Sequence, residues 1–260
     1  MRRAFRLRGL LWLAAAAVLL AVASGAFGQS AEAGGGTGLP SIQIGLETAD
    51  SPGEVASSLQ ILALLTVLSL APALLVMTTA FTRIVIVFSF LRTALGTPSI
   101  PPNQVVIGLS LFLTFYVMGP TFEQLNTSAL QPYMNKEISL DEAKGRGWVT
   151  IRDFMLRQTY KKDLALFADM SGARFESVDD VEWKHLVPAF ILSELKTAFI
   201  MGFYIFVPFL VIDLVVASTL MSMGMMMLPP AIVSLPAKVL VFVLADGWSV
   251  LVQAVVGGFR

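Results

Sequence analysis

The sequence predicts an all-α membrane protein: long, proline-broken helical hairpins, about four hydrophobic spans, and a small helical periplasmic insert. Three observations carry that expectation. Hydrophobic residues make up 56% of the 260-residue chain and charged ones only 14%, whereas about a quarter of a soluble domain is charged. Apolar runs near the length of about 20 residues that a helical span needs recur at 59–81, 102–120, 189–219 and 229–256. More than half of the charge is gathered in one stretch, 121–186, which holds nine basic and eleven acidic side chains.

Residues 1–26 read as a signal peptide. Arg2, Arg3, Arg6 and Arg8 form a positive n-region, Leu10 to Ala23 an apolar core, and small residues from Ser24 to Ala26 offer a cleavage site. The competing reading is an uncleaved membrane anchor. The arginine pair also matches a twin-arginine signal, but a membrane-inserted product favours the general secretory route. Residues 27–57, with Gly34, Gly35 and Gly36, read as a flexible linker.

Residues 58–120 are expected to form the first membrane hairpin. The apolar stretch 82–102 carries Arg83 and Arg92 before a break at Pro98, Pro101 and Pro102. It reads as the first helix running past the membrane edge, with the two arginines marking the cytoplasmic side. Counting spans then places 121–186 in the periplasm. Within that insert Ser139 and Glu142 match a capping box, and Thr150 with Asp153 approximates a second one opening a helix. Ile151, Met155, Thr159 or Tyr160, Leu164 and Phe167 follow at helical spacing until Gly172 supplies a stop. Whether the insert packs on its own chain or on a neighbouring copy stays open. Residues 187–258 form the second hairpin, and its turn, 219-TLMSMGMMMLPPA-231, falls on the cytoplasmic side.

Ionisable residues inside the apolar runs are the next signal. Glu194, Lys196 and Asp213 lie in the third run and Lys238 and Asp246 in the fourth. Each would cost about 2.5–3.5 kcal/mol at a bilayer centre, so they should face protein or water. One reading is a proton or ion relay. The other, which the long helices broken by Pro208, Pro229, Pro230 and Pro236 favour, is structural pairing such as Glu194 with Lys238.

Several function classes are excluded. The formal net charge is zero, which argues against a partner that is nucleic acid. There is no cysteine and a single histidine, His185. No phosphate loop, GxSxG elbow or metal-ligand cluster is present in the sequence, so no enzyme activity, metal or cofactor is expected.

The phrases PAF (188–190), SELKTAF (193–199), PFLVIDLVVAS (208–218) and GMMMLPP (224–230) match a known pattern, as do DFMLRQT (153–159), ADGW (245–248) and residues 79–120. In these phrases the chain, over roughly residues 55–258, resembles the FliP family, flagellar biosynthetic proteins of the type III export gate, themselves similar to a component of virulence-type injectisomes. One departure is Ile200, where the family usually has a polar residue such as Gln. The resemblance implies several copies assembling with FliQ and FliR beside FlhA and FlhB. It implies a multi-pass protein of the bacterial inner membrane, in contact with membrane lipid and associated with the flagellar basal body. The central pore would pass unfolded flagellar export substrates. It further implies that Met225, Met226 and Met227 line a constriction that closes the pore, a task suited to an unbranched, flexible thioether. The charged set Arg83, Arg92, Glu194, Lys196, Asp213, Lys238 and Asp246 would then serve assembly or gating. An injectisome homologue and an ion-coupled transporter using these charges are the alternatives.

Overall fold

The computed structural model describes residues 52–259 apart from 98, 174, 176, 178, 179 and 226. The expected signal peptide, most of the linker and Met226 lie outside the described residues. Every regular element among those described is helical. The chain divides into two units, Met1–Leu75 and Val76–Arg260.

The described part of the first unit belongs to α1, Pro52–Met77, which starts inside the expected linker. Ile61, Leu62, Leu64, Leu65 and Leu68 are all exposed. A helix apolar all round belongs in lipid or against other protein.

In the second unit the helices are α2 (Phe81–Leu95), α3 (Asn103–Leu125), α4 (Gln131–Met134), α5 (Leu140–Gln158), α6 (Lys161–Ser171), α7 (Trp183–Ser222), α8 (Pro230–Leu244) and α9 (Gly247–Gly257). A π-helical turn at Asn126–Leu130 joins α3 to α4. Thus the helix expected to end at 120 runs on to 125, and Pro120 sits inside it. Two stretches, Asn103–Met134 and Trp183–Ser222, are long and apolar enough to cross a membrane, or up to four if each broken helix pair counts as one span. At about 1.5 Å per residue, the 40 residues of α7 extend roughly 60 Å, about twice the hydrocarbon thickness.

The core is organised around α2, which corrects the reading of 82–102 as an overhang of the first span. Ile84, Val87, Phe88, Leu91, Ala94 and Leu95 recur at three and four residues and are all buried. They pack with Leu186, Phe190 and Ala198 of α7, Met118 of α3 and Phe154 of α5. The helix restarts at Phe81 because Thr78–Ala80 interrupts the ladder. There the Thr79 hydroxyl donates to Val76 O (3.3 Å) and accepts from Phe81 N (3.5 Å), and Thr82 also donates to Val76 O (3.4 Å).

Where α2 crosses α7 the backbones come close. A Cβ on Gly202 would sit 2.5 Å from the Phe90 ring. At the far end α8 and α9 meet at 66°. Asp246 makes the corner in the left-handed region (φ 49°), a conformation Asp tolerates better than most residues.

In the insert, Ser139 accepts from Glu142 N at 3.2 Å and caps α5. Gly172 ends α6 in the left-handed region, with Gly172 N bonded to Asp169 O and Ala173 N to Ala168 O. Thr150 opens no helix. It lies within α5 and donates back to Arg146 O at 3.2 Å. The break falls instead at Thr159 and Tyr160, both extended. The insert packs on its own chain, through α5 and α6 against α7.

Candidate functional site

The ionisable residues sort into three nodes along α7. The first is built on Arg83, 2% exposed, and Glu194, fully buried. The guanidinium donates through Nε to Glu194 Oε2 (2.8 Å) and through Nη2 to Oε1 (2.5 Å), the forked geometry that suits arginine to carboxylate. Nη1 donates to Gly258 O (2.8 Å) and Nη2 to Gln158 Oε1 (3.0 Å). The Phe259 ring lies 3.8 Å from Cζ. One side chain of α2 therefore ties together α7, the end of α5 and the segment after α9.

The second node docks the insert. Asp163, 2% exposed, receives Lys196 Nζ and, at 2.7 Å, the Ser193 hydroxyl. Ser193 Oγ also accepts from Tyr160 N at 3.0 Å, and the Tyr160 and Thr197 hydroxyls are bonded at 3.1 Å. Burial works to raise the pKa of Asp163, but the Lys196 and Ser193 hydrogen bonds and the Lys196 charge outweigh it and hold the carboxyl below its ordinary value.

The third node lies in the half of α7 that leads to the methionine turn. Lys238 donates to Asp213 Oδ2 (2.6 Å) and to Ala94 O at the end of α2 (3.2 Å). Ser234 donates to Asp213 Oδ1 (2.5 Å). This joins α7, α8 and α2.

Glu194 therefore does not pair with Lys238. Nineteen residues of α7 separate Glu194 from Asp213, about 28 Å along the axis, so each acid takes a different base. Arg83 marks no membrane edge, because its charge is consumed in the core. Two other charges are less buried than the sequence suggested: the Lys196 side chain is about half exposed, and Asp246 is exposed at the corner. Arg92 is partly exposed and donates through Nη1 to Asn103 Oδ1. The sequence reading missed Asp163, Gln158, Gly258 and Phe259. A lone lysine in an apolar helix requires an acid partner, and Asp163, the carboxylate on the buried face of α6, could have been nominated on that ground.

The methionine turn is built by a glycine. Gly224 adopts φ 77°, with Gly224 N bonded to Met221 O (3.1 Å) and Met225 N to Leu220 O (3.0 Å), the two bonds of a Schellman stop. Pro229 and Pro230 start α8 where a missing N–H costs nothing. Met221, Met223 and Met225 are 61%, 65% and 42% exposed and Met227 98%. In this chain they fill no core.

Comparison with known proteins bears on the whole of this arrangement. The FliP family model matches residues 64–255. The Flagellar biosynthetic protein FliP of Bacillus subtilis is 54% identical over 217 residues, 83% of this chain and 98% of that protein. The protein of the same name from Pectobacterium carotovorum is 52% identical over 78% of this chain and 79% of its own length, and that from Aquifex aeolicus 47% over 80% and 88%. The family match takes in the methionine turn and every charged residue of the three nodes, leaving out only Gly258 and Phe259, and the chain belongs to the FliP family of flagellar biosynthetic proteins.

Proposed function

We propose that this chain is a core subunit of the flagellar type III export gate. It assembles in several copies with FliQ and FliR, beside FlhA and FlhB, to form the inner-membrane pore for unfolded flagellar subunits. The observation that carries the reading is the methionine turn. Flexible thioethers fixed at the end of a long helix, with Met227 almost wholly exposed, suit a seal made jointly by several copies. Such a ring would close by dewetting and part around a passing chain. Met225 and Met227 are the described members of the proposed gasket, and Met226 belongs with them in sequence.

The charged nodes, on this reading, serve assembly. The Arg83 guanidinium is engaged by Glu194, Gln158 and Gly258 together, which suits a fixed strut better than a site that gains and loses protons. The relatives' shared name supports the flagellar machine over an injectisome. The insert 121–186 would face the periplasm. Native mass spectrometry of the chain co-expressed with FliQ and FliR tests the reading. A discrete multi-copy complex containing both partners is expected, and a lone monomer under conditions that preserve a known export gate would refute it.

A further inference from the structure

Five of the twelve methionines fall within Met221–Met227. Met118 and Met155 are buried in the core, whereas Met221, Met223, Met225 and Met227 are all exposed. An oxidant must reach the sulfur lone pair, so these thioethers are open to attack and the two core ones are shielded. Facing a pore, the same sulfurs are reached by a small solute from whichever side is wet.

The backbone of the turn does not depend on those sulfurs. It is held by the bonds from Gly224 N to Met221 O and from Met225 N to Leu220 O, by the left-handed Gly224, and by Pro229 and Pro230 at the start of α8. The Ser222 hydroxyl adds a bond to Thr219 O at 2.8 Å. None of these contacts uses a thioether. A sulfoxide in a core disrupts packing, but here it would form on side chains that carry little of their own chain's packing. What changes is polarity. The sulfoxide oxygen accepts hydrogen bonds, so water that an apolar constriction excludes gains a partner there, and a seal that closes by dewetting is opened.

We propose that the methionine turn is a reversible oxidation site, at which hydrogen peroxide converts Met221, Met223, Met225 and Met227 to sulfoxides and unseals the pore without unfolding the chain. The inference rests on the reading of this turn as a seal. In each step the sulfur lone pair takes one peroxide oxygen and the O–O bond breaks. The proton on the transferred oxygen passes to the departing hydroxide, which leaves as water. Sulfur loses two electrons and the peroxide gains them. A methionine sulfoxide reductase, drawing two electrons from a dithiol, reverses the change.

The test is ion conductance through the complex assembled with FliQ and FliR, read before and after graded hydrogen peroxide. Sulfoxides are mapped by peptide mass, each adding about 16 Da. The turn should be modified before Met118 and Met155. Conductance should rise with modification of the turn while thermal unfolding stays unchanged. Both stereospecific reductases with dithiothreitol should then remove the sulfoxides and restore the baseline. Leucine at Met134 and Met170, exposed methionines of the insert, should leave the rise intact. Leucine at Met225 and Met227 should remove most of it, each complex being read against its own untreated baseline. Should that variant fail to assemble, reversal by the reductases decides with native residues. A complex that stays tight with its turn fully oxidised would overturn this inference and leave the gate reading standing. A rise that survives the reductases, or that accompanies unfolding, would place the damage elsewhere and overturn it too. A complex that leaks before any peroxide is added would refute the seal itself, and this inference with it.

Discussion

The two halves of α7 read alike in sequence and differ in what covers them. From Trp183 to Gly202 the helix buries His185, Leu186, Phe190, Ser193, Glu194 and Ala198, and its charges meet partners from α2 and α6. From Phe203 to Ser222 only Phe209 is buried, and the polar anchor is Asp213 on Lys238 and Ser234. The first half is mostly covered by its own chain, with Trp183, Phe199 and Ile200 the large apolar side chains it leaves exposed. The second half exposes Phe203, Tyr204, Leu210, Val211, Leu214 and Val215 and ends in the bare methionine turn. Apolar surface that one chain leaves uncovered is what lipid or further subunits bury, so the fold is finished at one end of this helix and unfinished at the other.

The sharpest way to break that contrast is Glu194→Gln. It leaves the Arg83 guanidinium buried without its counter-charge, and removing one member of such a pair costs about 3–5 kcal/mol. Thermal unfolding of the full chain in detergent should show a larger drop than any substitution at Gly202, Asp163 or the methionine turn produces. An unchanged melting temperature would mean that the first half does not rest on its ion pair. Next in size is Gly202→Leu, which drives a side chain into Phe90 at the α2–α7 crossing. A loss of about 1–3 kcal/mol is expected, and Phe90→Ala should restore part of it in a double-mutant cycle.

Asp163 gives a smaller, pH-dependent effect. Its folded pKa lies below the ordinary value of 3.8, so its contribution is fully present above that value. The contribution fades as pH falls from near 4 through the folded pKa. Hydrogen exchange in α6 should accelerate over that acid window in the wild type. In Asp163→Asn the acceleration should already be present at neutral pH, with less acid dependence remaining. A wild-type-like profile in Asp163→Asn would remove that carboxylate from the docking of the insert. The smallest effect on stability belongs to the unfinished half: alanine at Met225 and Met227 should shift unfolding by no more than about 0.5 kcal/mol, as at other exposed positions. A large loss would make them core residues after all.

How far the sequence reached follows the same division. Apolar runs announced the helices outside the insert, since hydrophobicity is written in composition, and capping residues with helical spacing announced those at Leu140–Gln158 and Lys161–Ser171 within it. They did not announce that α2 would be the core, because Thr78–Ala80 interrupts an apolar run with hydroxyl bonds to the backbone and no change in hydropathy. The charges stood out individually, but their pairing depends on distance along a helix. Glu194 and Lys238 are complementary in charge and are separated by the length of α7 between the two nodes. Gly258 and Phe259 could not be recognised, since a backbone carbonyl and a phenyl ring become ligands of a guanidinium only after folding. Thr150 with Asp153 failed for a related reason: a cap signature inside a continuing helix has no free N–H groups to satisfy. The methionine turn was conspicuous in sequence, and Gly224 builds it through a left-handed stop.

The central claim is that the unfinished end of α7 closes a pore. Its most direct test is ion conductance through the complex assembled with FliQ and FliR, comparing wild type with the triple replacement of Met225, Met226 and Met227 by alanine. A tight wild-type complex and a leaking variant of unchanged composition and thermal stability are predicted. Equal, negligible conductance in both would contradict the claim and return these methionines to the role of a connecting turn.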